Sequence, residues 1–564
     1  MSSDRLDLAE ARRRIRAGSF DTAALRAWLS TTYEDADRFR DELLAYCFEK
    51  RRGMLKSRRP GGYDLYHDIV LAHADRRRPA LVWKDAGGVT SLSFEQVHER
   101  ASKIAATWAA RGATPGASVC IVQARGGEWL MAILAALQLG LVVSLVSSAG
   151  PALLRRRLAE LAPEYVVLPE AIARTLGPLP GEVLSTSPAP LSRPLPGSHT
   201  YGEEDPAFRL LSPFADCMAE VPAGLAHHSV LRDGELVFGL EPSDAVAAPG
   251  WDALQTQPLL FLTTLAAGAA WVELDDNDLD AEPDIVARHG ISLLGVGATT
   301  REHFLRADVD PPKRAWFGNL TDALDFDAWS ALAERMSGNK VPGFGIVTNA
   351  ACAGTLLFGL PAKSFSLNVW PVPGLALELE EIGARGPLVA HGDAGRASPS
   401  LPDSVRPAVP NVILSRRDEA WVLAGSLDLG PHSHAYPTDT VVQVVKVSRP
   451  DVRHADVVLT KGRWPNEAKA TLLLFLAVGL DGARPANLDL RAIRKLIAEQ
   501  VGSRWVPDRI EAYPLEPRSI AGEIDREHCR SQYLSGALSS KARTEIFVQL
   551  SRLRHIFAAR KQTD

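Results

Sequence analysis

The chain lacks the features that mark membrane-spanning, secreted and nucleic-acid-binding proteins. Its longest apolar run, LLLFLAVGL at Leu472–Leu480, is far shorter than the ~20 residues that cross a bilayer. The N-terminal segment MSSDRLDLAEARRRIRAG has no apolar core of a secretory signal. A net charge of -5 gives no electrostatic reason for nucleic acid as a partner. We therefore expect no membrane span, no nucleic-acid partner and a cytoplasmic location.

Cysteine is also scarce, and its spacing excludes two further classes. The chain has five cysteines, an odd number, and no CxxC pair: Cys47, Cys120, Cys217, Cys352 and Cys529. This pattern argues against a disulfide framework and against a cysteine-based zinc site. We expect reduced, buried thiols and no bound metal.

What the chain does have is length and an alternation of strand and helix patterns. Its 564 residues are 46% apolar, enough for several cores. PALVWKD at Pro79–Asp85 is typical of a strand, and Phe94–Ala110 is typical of an amphipathic helix that Ser93 caps. Short apolar strands and helices then alternate, which predicts βαβ units, a largely parallel sheet and an α/β fold class. Residues 1 to about 60 have the spacing of helices.

Several segments, in this order, resemble the adenylate-forming superfamily of acyl-CoA synthetases, adenylation domains and luciferases. They are PALVWKDAGGVTSLSFEQVHERASKIAATWAARGATPGASVCIV, PGWDALQTQPLLFLTTLAAGAAWVEL, PVPGLALELEE and WVPDRIEAYPLEPRSIAGEIDRE. The short-chain acyl-CoA synthetase branch is the most similar. The resemblance implies a large α/β domain with distorted parallel sheets and a barrel-like part, followed by a small α+β domain. We expect an N-terminal helical extension at 1–62, the large domain at 63–426, the small domain at 427–535 and a C-terminal helix at 536–564.

The resemblance also implies where a phosphate-binding loop would lie. The matching stretch is LLSPFADCMAEVPAGLAHHS at Leu210–Ser229, with Ala223 in place of the family's lysine, followed by Gly224. Its loop PFADCMAE has no glycine and carries Asp216 and Glu220, and carboxylates repel a phosphate. His227 and His228 fall where the family has a strand of the acid pocket. They are candidates either for polarising a substrate carboxyl or for a structural role.

Three further positions depart from the family's chemistry. In GFGIVTNAA, Phe344 and Gly345 fit, but Thr348 or Asn349 stands where the family has its magnesium-holding glutamate. In GSLDLG, Asp428 is the hinge candidate, with Ser426 in place of arginine. In SIAGEIDRE, Glu523 stands at the position of the lysine that the resemblance makes catalytic. A glutamate there reverses the sign of the interaction with the developing negative charge.

These departures leave pocket candidates without a confident catalytic residue. Trp251 belongs to the segment near the acid pocket. We interpret it as a core residue in preference to a platform for a cofactor. The binding candidates of this degenerate pocket are Ala223, Gly224, His227, His228, Trp251, Phe344 and Gly345.

Three hypotheses remain open. The first is a pseudoenzyme that acts as a binding or partner subunit, with an acyl group, CoA or a carrier protein as the partner classes. The second is a divergent, active acyl-CoA or acyl-carrier-protein ligase that uses ATP, Mg²⁺ and CoA. The third is an acyl or CoA pocket with different chemistry. The N-terminal helical extension is a candidate docking element for a protein partner.

Overall fold

The computed structural model of the chain describes most of the residues. These are 7–57, 62–73, 75–85, 88–122, 126–146, 149–189, 193–211, 218–249, 251, 259–307, 309–320, 326–338, 340–349, 353–375, 386–387, 412–417, 420–426, 436–461, 468–476, 489–513 and 526–538. The chain divides into two compact units. The first contains Met1–Ser148, Leu158–Leu427 and Arg463–Glu467, and the second contains Ala149–Arg157, Asp428–Gly462 and Ala468–Asp564. The boundaries expected at 62, 426 and 535 stay predictions.

Helices dominate the N-terminal 50 residues and then alternate with strands. Those before residue 340 are α1 (Leu8–Ala17), α2 (Thr22–Glu34), α3 (Ala36–Lys50), α4 (Phe94–Ala110), α5 (Gly127–Leu139), α6 (Pro151–Leu161), α7 (Glu170–Leu176), α8 (Ala223–Arg232), α9 (Leu259–Ala266), α10 (Asp276–Ala281), α11 (Ile285–Arg288), α12 (Ala298–Arg306) and α13 (Phe326–Gly338). Two π-helical turns lie at His67–Leu71 and Asp233–Val237.

The strands of the first unit form two sheets. They are β1 (Pro79–Asp85), β2 (Gly88–Ser93), β3 (Ser118–Ile121), β4 (Val142–Leu145), β5 (Tyr165–Val167), β6 (Glu182–Leu184), β7 (Pro206–Leu211), β8 (Met218–Pro222), β9 (Ala245–Ala247), β10 (Ala270–Glu273), β11 (Leu293–Val296), β12 (Ala315–Asn319), β13 (Gly343–Asn349), β14 (Gly354–Phe358), β15 (Asn368–Pro371), β16 (Gly386–Pro387), β17 (Val412–Arg417) and β18 (Ala420–Ser426). The larger sheet has the order β16-β17-β18-β15-β14-β13-β12-β11-β9-β10-β1-β2, and the smaller has β6-β5-β3-β4-β7-β8.

The expected α/β class is confirmed, although both sheets are mixed. Strands β1, β10, β9, β11, β12 and β13 are parallel neighbours. From β13 onwards the pairing becomes antiparallel, because β14 returns directly beside β13. The parallel strands read as continuous apolar runs because both sheet faces are covered. Strand β6 lies in the stretch 177–205, which is rich in Pro, Gly and Ser.

Local signals in the sequence explain several element boundaries. Ser93 and Gln96 form a capping box that starts α4, as the sequence predicts. Helix α5 is buried all round, so it forms part of the core instead of covering it. The three N-terminal helices belong to the same core as the sheets, through side chains such as Ile15, Trp28 and Leu43. Their apolar faces are therefore already covered by this chain.

The second unit has helices and a small mixed sheet, in which one strand pair is antiparallel and the other is parallel. Its elements are α14 (Thr438–Ser448), β19 (Val452–Lys461), β20 (Ala468–Leu476), α15 (Leu490–Gln500), β21 (Arg509–Tyr513) and α16 (Arg526–Leu534), with a 3-10 turn at Ser503–Trp505. The strand order is β19-β20-β21. The expected C-terminal helix at 536–564 lies almost wholly outside the described residues. Within the part of the chain that the structure describes, no helix combines the length and apolarity needed to cross a bilayer.

Candidate functional site

The parallel strands β9, β11, β12 and β13 place their carboxyl ends at one edge of the large sheet. Ligands of open α/β sheets bind outside this edge. Strand β13 is buried along its whole length and ends on Thr348 and Asn349, each 5% exposed. These two residues stand opposite Thr355 and Gly354 of β14. The strand that the resemblance expects to supply a metal-holding carboxylate therefore ends on two neutral side chains.

The carboxylate beside this strand pair is that of Asp233, and other groups of the protein already bind it. Its Oδ2 accepts a hydrogen bond of 2.8 Å from the backbone N–H of Thr355, and its Oδ1 is 2.8 Å from Nη2 of Arg232. Gly354 comes so close that an added Cβ would lie 2.6 Å from Asp233 Oδ2. Asp233 is thus paired with the neighbouring Arg232 and hydrogen-bonded to the β14 backbone.

The described residues at this edge do not fit a magnesium-bound triphosphate. Such a group needs carboxylate oxygens for the metal and cations or free N–H groups for the phosphates. Thr348 and Asn349 offer no charge, and Asp233 is already neutralised by Arg232. Among the described residues, no group of three or more His, Cys, Asp or Glu side chains is arranged to hold a metal ion.

The pocket candidates Trp251 and Phe344 belong to an aromatic cluster around Phe317. Trp251 is fully buried and meets the Phe317 ring edge-on, with centroids 5.4 Å apart. Phe344 stacks on the same Phe317 ring at 5.8 Å. Gly345 lies so close to β12 that an added Cβ would be 2.3 Å from Leu320 Cδ1. These contacts agree with the interpretation of Trp251 as a core residue and extend it to Phe344.

The structure corrects the expectation for the histidine pair, because His227 and His228 lie on a helix and not on a strand. Strand β8 ends at Pro222, whose φ of -63° starts α8. Pro favours helix starts, since its fixed φ suits the first turn and its missing N–H is not needed there. The first N–H groups of α8 are also occupied: Ala223 N donates to Asp205 O at 2.8 Å and Gly224 N to Glu203 O at 3.0 Å. This helix start therefore does not present these two donors to an anion.

His227 is held by a buried carboxylate that the sequence analysis did not identify. Its Nε2 lies 3.0 Å from Oδ2 of Asp68 on the π-helical turn His67–Leu71. Asp68 also accepts the backbone N–H groups of Lys56 at 2.8 Å and Ser57 at 3.0 Å. The carboxylate, which is 1% exposed, thus joins three segments of the first unit.

The electrostatics of Asp68 follow from these partners. Burial alone raises its pKa, but the hydrogen bonds from His227 and His67 and the charge of His227 outweigh burial. The pKa of Asp68 is therefore held well below its usual range, and the carboxylate stays ionised at neutral pH. Of the two roles left open for His227, this arrangement favours the structural one.

His228 also contacts the chain's own side chains. Its ring meets Phe39 of α3 edge-on, with centroids 6.1 Å apart, and His228 is 8% exposed. Gly224, one turn earlier, faces Glu203 and the Tyr63 ring, and an added Cβ would lie 2.9 Å from Glu203 Cγ. One face of α8 is therefore packed by Phe39, Tyr63 and Glu203.

A second buried charge network ties the N-terminal helices to the turn after α8. Glu235 accepts Arg12 Nε at 2.7 Å and Lys50 Nζ at 2.6 Å, with its side chain only 3% exposed. Arg12 Nη1 also lies 2.6 Å from Glu241 Oε1. Burial lowers the pKa of Arg12, but Glu235 and Glu241 together raise it, so the guanidinium stays charged. The sequence signal for this network is Glu235, an acidic residue directly before the apolar run LVFGL at 236–240.

Several predicted positions lie outside the described residues. They are Glu523, Asp428 and the centre of the phosphate-loop match, residues 212–217. Of the cysteines, Cys47, Cys120 and Cys529 are buried thiols. Burial raises the pKa of the Cys47 thiol to about 12, which fits the expected inert thiol.

Comparison with known proteins bears on this geometry. Residues 71–203 match the AMP-binding enzyme family. No curated protein matches the chain in sequence.

Solved structures of adenylate-forming enzymes share the fold. An artificially fused adenylation–PCP di-domain, NpsA-ThdA, from Klebsiella oxytoca has a TM-score of 0.62 at 14% identity, covering 79% of this chain and 85% of its own. Amide bond synthetase McbA from Marinactinospora thermotolerans has a TM-score of 0.62 at 18% identity, with 83% and 99% covered. Acetoacetyl-CoA synthetase from Streptomyces lividans has a TM-score of 0.59 at 17% identity, with 92% of each chain covered. The family match is thus limited to residues 71–203, and the likeness to these solved structures shows a shared fold.

Proposed function

We propose that the chain is a pseudoenzyme of the adenylate-forming superfamily, unable to activate acids with ATP and acting as a binding or partner subunit. The observation that carries the proposal is the end of β13, where Thr348 and Asn349 are buried and neutral. Acid activation builds negative charge on the α-phosphate and on the leaving pyrophosphate, and this charge needs metal and cations. A strand end without a carboxylate supplies no charged ligand for the metal.

Two other departures support the proposal. The sequence places Glu523 where the resemblance implies a catalytic lysine, which turns an attraction for the phosphates into a repulsion. The start of α8 donates its Ala223 and Gly224 N–H groups to backbone carbonyls. Loss of a single charge-stabilising group costs about 2.7–4 kcal/mol of transition-state energy, so several losses together would stop measurable turnover.

The partner classes come from the relatives. One similar structure is an adenylation domain fused to PCP, and another is an acetoacetyl-CoA synthetase. We infer that an acyl group, CoA or a carrier protein is the class of molecule that this chain retains the surface to bind. The fold of both units persists, so a binding role does not depend on the lost chemistry.

Pyrophosphate exchange tests the proposal. The native chain should show no acid-dependent exchange between pyrophosphate and ATP across a panel of short, branched and aromatic acids. Exchange above background for any acid would favour the divergent-ligase hypothesis instead.

Two restored side chains make the test sharper. Glu523→Lys alone should remain inactive, because the strand end still lacks its carboxylate. The double variant Thr348→Glu with Glu523→Lys restores both charges. Exchange by this variant would mean that activity was lost at these two positions, and no exchange would mean that it was lost across the whole site. Recovery by Glu523→Lys alone would show that the rest of the phosphate site is sound. A matched control is Glu511→Lys, which makes the same charge change on β21.

A further inference from the structure

A buried arginine on helix α12 has hydrogen-bond donors that the described part of the chain does not use. The side chain of Arg301 is only 5% exposed. Within the described residues, no atom accepts a hydrogen bond from its buried Nε or Nη1. Buried polar groups are nearly always hydrogen-bonded, and an incompletely paired charge is the most costly group to bury. The unused donors of Arg301 therefore point to an acceptor from outside the chain.

The carboxylate that contacts Arg301 is a weak partner. Glu302 Oε1 lies 3.4 Å from Arg301 Nη2, whereas a hydrogen bond between two charged groups is roughly 2.7–2.9 Å long. The other oxygen of Glu302 lies 3.8 Å from Nη2 of Arg306, so two arginines share this carboxylate. Glu302 is 42% exposed. The guanidinium of Arg301 is thus only partly neutralised, and its Nη2 lies close to the protein surface.

Other carboxylates around α12 contact other groups. Asp276 Oδ1 lies 2.8 Å from the hydroxyl of Thr300, and Asp280 pairs at 2.5 Å with a histidine of α12. Asp327, in the first turn of α13, is exposed. Among the described residues, none of these three carboxylates forms an ion pair with Arg301. A positive charge therefore remains between α12 and α13.

The start of α12 adds positive potential at the same place. Its N-cap, Gly297, has no side chain to cap the helix, and its first turn has no acidic residue. The N-terminus of a helix carries partial positive charge and favours anions. Side chains on a helix lean toward its N-terminus, so the guanidinium of Arg301 is directed to this end. The helix and the arginine together favour an anion.

Trp329 of α13 determines how an anion approaches Arg301. The guanidinium carbon lies 5.0 Å from the centre of the Trp329 ring. Trp329 is fully buried and stacks on Trp316, with ring centroids 5.9 Å apart. A ring that covers one face of a guanidinium leaves the N–H groups at its edges for an acceptor in the same plane. A planar carboxylate fits this approach.

This position is distinct from the pocket candidates at the sheet edge. Gly318 of β12 faces Trp329, since an added Cβ would lie 2.9 Å from that ring. Phe317, the residue beside it, contacts Trp251 instead. Successive side chains of a strand point to opposite faces of a sheet. Arg301 therefore lies on the other face of the sheet from the aromatic cluster around Phe317.

We propose that Arg301 and the start of α12 bind the carboxylate group of a small organic acid. The carboxylate accepts hydrogen bonds from the guanidinium donors that no described residue accepts, while Trp329 covers one guanidinium face. Carboxylate is the class of ligand because the planar donors of arginine match its two oxygens. The inference goes beyond the proposed function, since it concerns the opposite face of the sheet and would hold whether or not the chain adenylates acids.

Acetate and acetamide test the proposal on the full chain, because they have similar shapes and differ in charge. Their binding is followed by calorimetric titration and by thermal unfolding, with chloride keeping the ionic strength constant. Acetate should raise the unfolding midpoint saturably and bind about tenfold or more tightly than acetamide, because acetamide cannot accept charge-assisted hydrogen bonds. Equal binding of acetate and acetamide, or tighter binding of inorganic phosphate than of acetate, would overturn the proposal.

Arg301→Met locates the binding, since methionine fills part of the same space without a charge. In chloride alone this variant should unfold at the native midpoint or above it, because an incompletely paired buried charge is gone. Acetate should then give no saturable rise.

The matched control is Arg306→Met, on the same helix and beside the same Glu302 but 74% exposed. This control should respond to acetate as the native chain does. A lower midpoint for Arg301→Met in chloride, or a native response of Arg301→Met to acetate, would show that the arginine is structural and would contradict the proposal.

Discussion

The N-terminal part of the first unit and the carboxyl edge of its large sheet use polar residues in opposite ways. Before residue 70 and around α8, buried charges are paired: Asp68 with His227, and Glu235 with Arg12 and Lys50. At the carboxyl edge, Thr348 and Asn349 end β13, and aromatic rings fill the space beside it.

This contrast shows what the fold still requires and what it does not. The buried pairs join segments far apart in sequence, so losing one would loosen the packing of α1, α3 and α8. The sheet edge needs no charge to stay folded, because apolar contacts hold it. A chain with this fold can therefore keep its architecture while its candidate phosphate site is neutral. Three substitutions probe this contrast, from the largest expected effect to the smallest.

Glu235→Gln should produce the largest loss of stability. Glu235 is the shared acceptor of Arg12 and Lys50, and its side chain is 3% exposed. Replacing it leaves two cations facing a neutral amide, and breaking a buried ion pair costs about 3 kcal/mol or more. Urea denaturation followed by tryptophan fluorescence measures the change.

The matched control for this substitution is Glu10→Gln. Glu10 pairs with Arg14 on the same helix as Arg12, but Arg14 is 40% exposed. Exposed pairs contribute about 0.2–1 kcal/mol, so the control should change stability little. Similar losses for Glu10→Gln and Glu235→Gln would remove the distinction on which the contrast rests.

Asp68→Asn should destabilise the chain by about 2 kcal/mol at neutral pH, because a carboxylate that accepts several hydrogen bonds is lost. The pKa of Asp68 is depressed in the folded state, so its contribution is complete above the ordinary value of 3.8 and fades as pH falls below it. The difference in unfolding free energy between the native and the variant chain should therefore decrease by about 1 kcal/mol on going from neutral pH to about pH 3. Denaturation curves at the two pH values test this. The same difference in unfolding free energy at both pH values would show that the charge of the Asp68 carboxylate does not contribute to stability.

Gly345→Ala should have a smaller effect, of about 1–2 kcal/mol, at the neutral edge of the sheet. The added Cβ would lie 2.3 Å from Leu320 Cδ1, and Leu320 is fully buried. Gly338→Ala is the control, since nothing lies within 4 Å of its added Cβ and it ends α13. Thermal unfolding of both variants compares them, and equal midpoints would mean that the edge repacks without strain.

Much of the architecture follows from local patterns in the sequence. Strand β1 and helix α4 have the bounds that apolar spacing and the Ser93 cap predict, because these signals act between near neighbours. The neutral end of β13 was also predictable, since the motif around Phe344 and Gly345 fixes its place.

What could not be predicted depends on partners distant in the chain. The helical setting of His227 and His228 follows from Pro222 and from packing against Phe39 and Asp68, and His227 and Asp68 are 159 positions apart. The ion pairs of Glu235 with Arg12 and Lys50 likewise join residues far apart in the chain. No single segment contains that information.

A calorimetric titration with Mg-ATP tests the central claim most directly. The native chain should give no saturable heat at millimolar nucleotide, alone or with any acid of the panel present. A saturable isotherm that Asn349→Ala abolishes would contradict the account, because it would place a working nucleotide at the strand end that we describe as unable to hold one.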